Sequence, residues 1–109
     1  GGFYNPILDS VELFNTRTET WETLPSMLTR RKNCAATSIG RKVFVFGGER
    51  VGGWPLCSAE VFDLDTRRWR PLPPMLRTRK RCTAIPTGTK ILVFDGADDR
   101  SSEVFDTAG

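Results

Sequence analysis

Two basic clusters dominate the chemistry that this sequence could perform. Arg30-Arg31-Lys32 and Arg77, Arg79-Lys80-Arg81 each lead into a small-residue stretch that holds one cysteine, Cys34 or Cys82. Guanidinium and ammonium groups at this density recognise anions such as carboxylates, phosphorylated side chains or a nucleic-acid backbone. Catalysis has less to work with. The chain contains no histidine, so neither a Ser-His-Asp nor a Cys-His arrangement can be assembled from it. The carboxylate pairs Asp63/Asp65 and Asp98/Asp99 fall in expected loops or strand ends, where solvated turn acids are the ordinary interpretation. "GGERVGG" at 47–53 is glycine-rich, yet it lacks the lysine-serine/threonine of a phosphate-binding loop and precedes a strand instead of a helix. Three cysteines without CxxC spacing, and no histidine, leave zinc short of its usual ligands. We therefore expect no catalytic residue, no metal and no cofactor.

The basic clusters are themselves part of a period. Glu12, Phe14, Trp21, Leu24, Met27, Cys34, Ala36, Gly40, Lys42, Val45, Phe46 and Gly48 return 48 positions later as Glu60, Phe62, Trp69, Leu72, Met75, Cys82, Ala84, Gly88, Lys90, Val93, Phe94 and Gly96. Gly1-Gly2 stands before the first unit as Gly47-Gly48 stands before the next, and "SEVFDT" at 102–107 echoes "AEVFDLDT" at 59–66. The chain thus holds the end of one unit (1–24), a complete unit (33–72) and the start of another (81–109).

Each unit reads as four short strands, at 33–39, 42–46, 58–63 and 68–72 in the complete one. Val43 to Phe46 and Ile91 to Phe94 are unbroken apolar runs bounded by glycine turns, which suggests strands covered on both faces. Pro25, Pro71, Pro73 and Pro74 follow or close the tryptophan strand, where a missing N–H does least harm at a sheet edge. No segment has the length and pattern of a helix. The fold class is all-β, built of four-stranded antiparallel sheets.

These residues resemble the kelch repeat, the blade unit of one class of β-propeller, whose period is about 50 residues. The pattern is a glycine doublet followed by an aromatic and a tryptophan with six residues between them. Here Gly47-Gly48 precedes Phe62 and Trp69, and Gly1-Gly2 precedes Phe14 and Trp21. The resemblance covers essentially the whole chain. Asp95-Gly96 stands where the next doublet would fall, which is expected to weaken the final turn, and phenylalanine replaces the more usual tyrosine. A propeller has about four to eight blades, so this stretch forms an incomplete ring that needs flanking blades or self-association. Trp21 and Trp69, being in register, are expected to pack between blades.

In a propeller of this kind, the loop between a blade's second and third strands and the segment joining one blade to the next emerge on the same face. That face would gather Arg30, Arg31, Lys32, Arg77, Arg79, Lys80 and Arg81 from the joining segments and Phe3, Tyr4, Arg50, Trp54 and Arg100 from the loops. Against these cations stand Asp9, Glu49, Asp98 and Asp99, so the face is more positive than the net +3 of the chain. Trp54 is out of register, between glycines and a proline, and aromatic and arginine side chains dominate binding hot spots. The expected partner-binding residues are Arg31, Lys32, Arg50, Trp54, Arg79, Lys80 and Arg100, and the expected partner is a protein or peptide segment of acidic or phosphorylated character. The competing structural role for the arginines is pairing with an acid of a neighbouring blade. Nucleic acid is disfavoured, because its backbone would want a continuous basic groove and this patch contains acids.

The resemblance implies a protein-interaction module. Many kelch-like domains serve as substrate receptors of cullin-type ubiquitin ligases through a separate BTB or F-box domain, and others are actin-associated cytoskeletal scaffolds. Kelch-like copper oxidases exist, but they need histidine and tyrosine ligands, and Tyr4 is the single tyrosine here. No enzyme is expected. The longest apolar runs are far too short for a membrane-spanning helix. Cys34 and Cys82 sit in register on adjacent sheets, and face-to-face sheets lie about 10 Å apart, beyond the roughly 4.4–6.8 Å between Cα atoms that a disulfide requires. Free, buried thiols are therefore expected, which fits a reducing compartment and a cytoplasmic location.

Overall fold

The computed structural model describes residues 11–15, 17–50, 52–95 and 101–107. Among them every regular element is a strand. β1 (Val11–Asn15) pairs with β2 (Thr20–Leu24). β3 (Ala35–Ile39), β4 (Lys42–Phe46), β5 (Ala59–Asp63) and β6 (Arg68–Leu72) form a four-stranded antiparallel sheet in chain order. β7 (Thr83–Thr87), β8 (Lys90–Phe94) and β9 (Ser102–Asp106) repeat the first three strands of that sheet.

The turns explain the spacing of the repeat. β3 and β4 are joined through Gly40 and β7 and β8 through Gly88, both in the left-handed region (φ 59° and 61°), which glycine enters without steric penalty. Between β5 and β6 the Asp63 carboxylate accepts the backbone N–H groups of Asp65 (2.8 Å) and Thr66 (3.3 Å). Those two donors hold its pKa below the ordinary carboxylate value.

The β4 run is covered on both faces, because residues alternate across a strand, whereas on β8 Ile91 and Val93 are buried and Leu92 and Phe94 only partly so, against the expectation for that run. On β4, Val43 joins Phe62 and, from β2, Leu24 in one cluster, with Trp69 against it. Phe44 and Phe46 point the other way, packing with Ala59, Val61, Ile91 and Val93 toward the β7–β9 sheet. There the Phe105 ring lies 6.1 Å from both Phe44 and Phe46. Trp69 is half-buried, with its ring 5.2 Å from Phe62 and its indole N–H donating to the Pro25 carbonyl of the preceding unit at 2.7 Å. Trp21, expected to pack between blades as Trp69 does, is instead 65% exposed.

Two further expectations change in detail. The first strand of the complete unit begins at Ala35 rather than at 33, because Asn33 turns to φ 55° and its carbonyl accepts Arg81 N–H at 2.7 Å. That same bond joins the segments two residues before β3 and β7, so a uniform spacing of about 10 Å between the sheets does not hold where their first strands begin. All three cysteines are nevertheless free.

Candidate functional site

The glycine doublet after β4 is a crossing point of three chain segments. Gly47 N–H donates to Ser58 O (2.9 Å) and Gly48 N–H to Arg79 O (2.7 Å). A Cβ at Gly47 would lie 2.3 Å from Arg79 O, and one at Gly48 would lie 2.6 Å from Lys32 O. Only bare backbone fits between the segment leading into β3 and the one leading into β7. In the last unit Asp95 adopts φ 66°, close to the 63° of Gly47; aspartate is among the few side-chain-bearing residues that enter this region readily.

Beyond the doublet, the 47–58 loop is held from both sides. Glu49 exchanges backbone hydrogen bonds with Lys32 (2.8 and 3.0 Å), while Leu56 O accepts Arg79 N–H (2.9 Å) and Cys57 O accepts Met75 N–H (2.7 Å). The loop between second and third strands and the two joining segments therefore form one continuous surface. A tight turn, with Arg50 O accepting from Gly53 N–H (2.9 Å) and Arg50 N–H donating to Trp54 O (3.0 Å), lifts Trp54 clear of this surface. Its side chain is 64% exposed, and Arg50 beside it is also exposed.

The basic clusters divide by residue type. Arg31 and Arg79, expected on the partner face, are buried. Arg31 donates to Gly47 O (2.8 Å), Ser58 O (3.0 Å), Ser58 Oγ (3.1 Å) and Glu60 Oε2 (2.8 Å). Arg79 repeats the pattern on Asp95 O (3.0 Å), Ser101 O (2.7 Å), Ser101 Oγ (2.8 Å) and Glu103 Oε2 (3.0 Å). The carboxylates complete a clamp: Glu60 accepts the backbone N–H groups of Leu28 (2.8 Å) and Thr29 (3.0 Å), and Glu103 those of Leu76 (2.7 Å) and Arg77 (3.1 Å). Each arginine thus pairs with an acid of the sheet it leads into, and the pair fastens the joining segment to that sheet. A desolvated charge survives burial only when paired and hydrogen-bonded, and both members meet that condition.

Lys32 and Lys80 remain at the surface, with side chains 33% and 45% exposed, and both approach Glu49 at 3.6 Å. Arg100 lies outside the described residues, as do Phe3, Tyr4, Asp98 and Asp99. Among the expected binding residues, the surface brings together Lys32, Lys80, Arg50 and Trp54. Cys34 and Cys82 lie beneath it, half-buried, and burial pushes both thiols above the ordinary cysteine pKa. No group of three or more potential metal ligands converges among the described residues.

Stacked antiparallel sheets, the two larger ones each clamped to its lead-in segment and meeting at the Gly47-Gly48 crossing, define blades of a β-propeller. The kelch motif matches residues 1–28 and 30–76, more than half of the chain, and the chain belongs to the kelch-motif family. An F-box/kelch-repeat protein of Arabidopsis thaliana is 46% identical over 46 residues, a stretch that is 42% of this chain and 11% of that relative's length.

Proposed function

We propose that this chain is the part of a kelch propeller that captures an acidic segment of a partner protein on the face formed by the 47–58 loop and the two joining segments. The observation that carries this is the convergence of Lys32, Lys80, Arg50 and Trp54 on one surface held by backbone hydrogen bonds from three segments. The lysines supply charge attraction, and the raised Trp54 supplies apolar area of the kind that anchors interfaces. Arg100, beyond the described residues, remains a proposed contributor to the same face.

The role of substrate receptor in a cullin-type ubiquitin ligase is supported by the kelch motif together with the F-box named in the Arabidopsis relative. That role places the catalytic chemistry on other subunits and leaves this surface to select the substrate. The cytoskeletal-scaffold alternative uses the same surface for a different partner.

The test is a photo-crosslinking amino acid placed at position 54 of the intact protein in cells, with position 66, in the turn between β5 and β6, as the control. A discrete partner joined from position 54 and not from 66 is the expected result. Equal capture from both positions, or capture from 66 alone, would move the interaction away from this face.

A further inference from the structure

Each joining segment carries two kinds of cation with opposite behaviour. The Arg31 and Arg79 side chains have no exposure and hold Glu60 at 2.8 Å and Glu103 at 3.0 Å. Lys32 and Lys80 are partly exposed, and each stands 3.6 Å from a different oxygen of a single carboxylate, Glu49. A charge-assisted hydrogen bond between ammonium and carboxylate closes to about 2.7–2.9 Å. The two lysine contacts are therefore loose ionic ones, of the kind that adds little stability and exchanges readily.

The three groups differ in freedom to move. Glu49 is buried and fixed through both its backbone N–H and its C=O to Lys32. An ammonium on a flexible four-carbon stem can swing outward without disturbing that backbone. Glu49 also cannot neutralise two ammonium groups, so one positive charge is left over. The Arg31 and Arg79 forks are engaged inside the blades, which leaves Lys32 and Lys80 as two point charges from consecutive blades held on one carboxylate, with the exposed Arg50 on the same loop. Such a pair suits side-chain carboxylates with loose geometric demands, and its two centres suit a segment with more than one acid.

We propose that Glu49 is an internal competitor for the acidic partner. In the unbound protein its carboxylate holds Lys32 and Lys80 together, and a partner's Asp or Glu side chains bind by taking over one or both ammonium groups while Glu49 stays in place. This rests on the acidic-segment function proposed above. Glu49 then sets how weak and how salt-sensitive the binding is, and a lone carboxylate gains little because it must displace an equivalent one.

The test is fluorescence anisotropy of a labelled hexaglutamate peptide on the intact protein at low and at physiological salt, comparing wild type with Glu49→Gln. The substitution keeps the side-chain shape and removes the charge. Expected are salt-dependent binding by wild type, about fivefold tighter binding with a steeper salt response in Glu49→Gln, and loss of that gain when Lys32→Gln and Lys80→Gln are added. Salt-dependent wild-type binding with no gain in Glu49→Gln would overturn the competitor role and leave the acidic-segment function standing. No binding by either protein would remove both. Should Glu49→Gln fail to fold, Glu49→Asp draws the carboxylate back from the lysines and is expected to tighten binding in the same direction; unchanged or weaker binding there would overturn the competitor role equally.

Discussion

Arg31 and Glu60 meet at 2.8 Å within the β3–β6 blade, and the carboxylate that receives the guanidinium also receives the backbone N–H groups of Leu28 and Thr29. The pair therefore fixes a backbone turn as well as a charge, and Arg79 with Glu103 does the same one blade later. Removing one member leaves the other buried and unpaired, which costs about 3–5 kcal/mol. Arg31→Ala in the intact protein should lower its denaturation midpoint by a corresponding amount. Lys32→Ala, at the adjacent position with a partly exposed side chain, should stay within about 0.5 kcal/mol. Equal losses at the two positions would mean that the buried pair has no special structural weight.

The glycine doublet offers a sharper contrast. Gly40 and Gly48 both have positive φ (59° and 93°), but an added Cβ meets nothing within 4 Å at Gly40 and meets Lys32 O at 2.6 Å and the Cys34 Cβ at 2.9 Å at Gly48. Gly40→Ala should cost only the backbone strain, about 1–2 kcal/mol. Gly48→Ala adds the displacement of backbone in a three-segment crossing, and should be worse by about 1–3 kcal/mol. Thermal unfolding of the two variants measures the difference, which vanishes if the crossing can relax.

Much of this was legible in the sequence because the repeat makes each residue its own control. The paired recurrence of Trp21/Trp69, Gly40/Gly88 and the apolar runs places strands and turns without any packing information. Period alone could not say whether Arg31 points into the blade or out of it. The signal was present in "AEVF" and "SEVF", which put a glutamate on the third strand of each blade opposite an in-register arginine, yet the pairing depends on the fold bringing residues 31 and 60 together. Glu49 was harder still. It lies in a loop with no counterpart of equal length in the next unit, and its position between Lys32 and Lys80 arises only from the crossing of three segments.

The half-buried thiols give a pH signature. Burial is the largest influence on both Cys34 and Cys82 and raises their pKa, with the Arg31 charge partly opposing it at Cys34 and the Arg79 charge more weakly at Cys82. At mildly alkaline pH each is less ionised than an unfolded cysteine, so both should alkylate more slowly in the native protein than after denaturation. For stability the sign follows from the folded protein binding these protons more tightly. Their contribution is complete below the ordinary thiol pKa and is lost as pH rises through the raised values. Iodoacetamide labelling read by peptide mass spectrometry, at a series of pH values, checks the first point. Native rates at Cys34 and Cys82 that match the denatured rates at every pH would contradict it.

The lysine pair decides whether the basic segments reach beyond architecture. Charge reversal is a poor instrument here, because glutamates at 32 and 80 would crowd two further carboxylates around the buried Glu49 and disturb folding through repulsion. Neutralisation avoids this repulsion: Lys32→Gln with Lys80→Gln removes two loose contacts at 3.6 Å to the buried Glu49, and because the glutamine amides can still donate to that carboxylate the cost should stay below the about 3–5 kcal/mol of breaking a fully buried pair. If the pair binds an acidic segment, affinity for the partner captured through position 54 should fall on the order of tenfold, mainly through slower association, since charges at an interface rim act chiefly on encounter. Wild-type binding should weaken as ionic strength rises, and the double variant should have lost most of that dependence. Trp54→Ala should weaken binding as well but leave the salt response intact, because the area it contributes is apolar. Surface plasmon resonance of the intact proteins at two salt concentrations, with circular dichroism as the fold control, separates these effects. Unchanged affinity and unchanged salt response in the double variant would return the lysines to the role of solvated loop residues and leave the partner to Trp54 or to other blades.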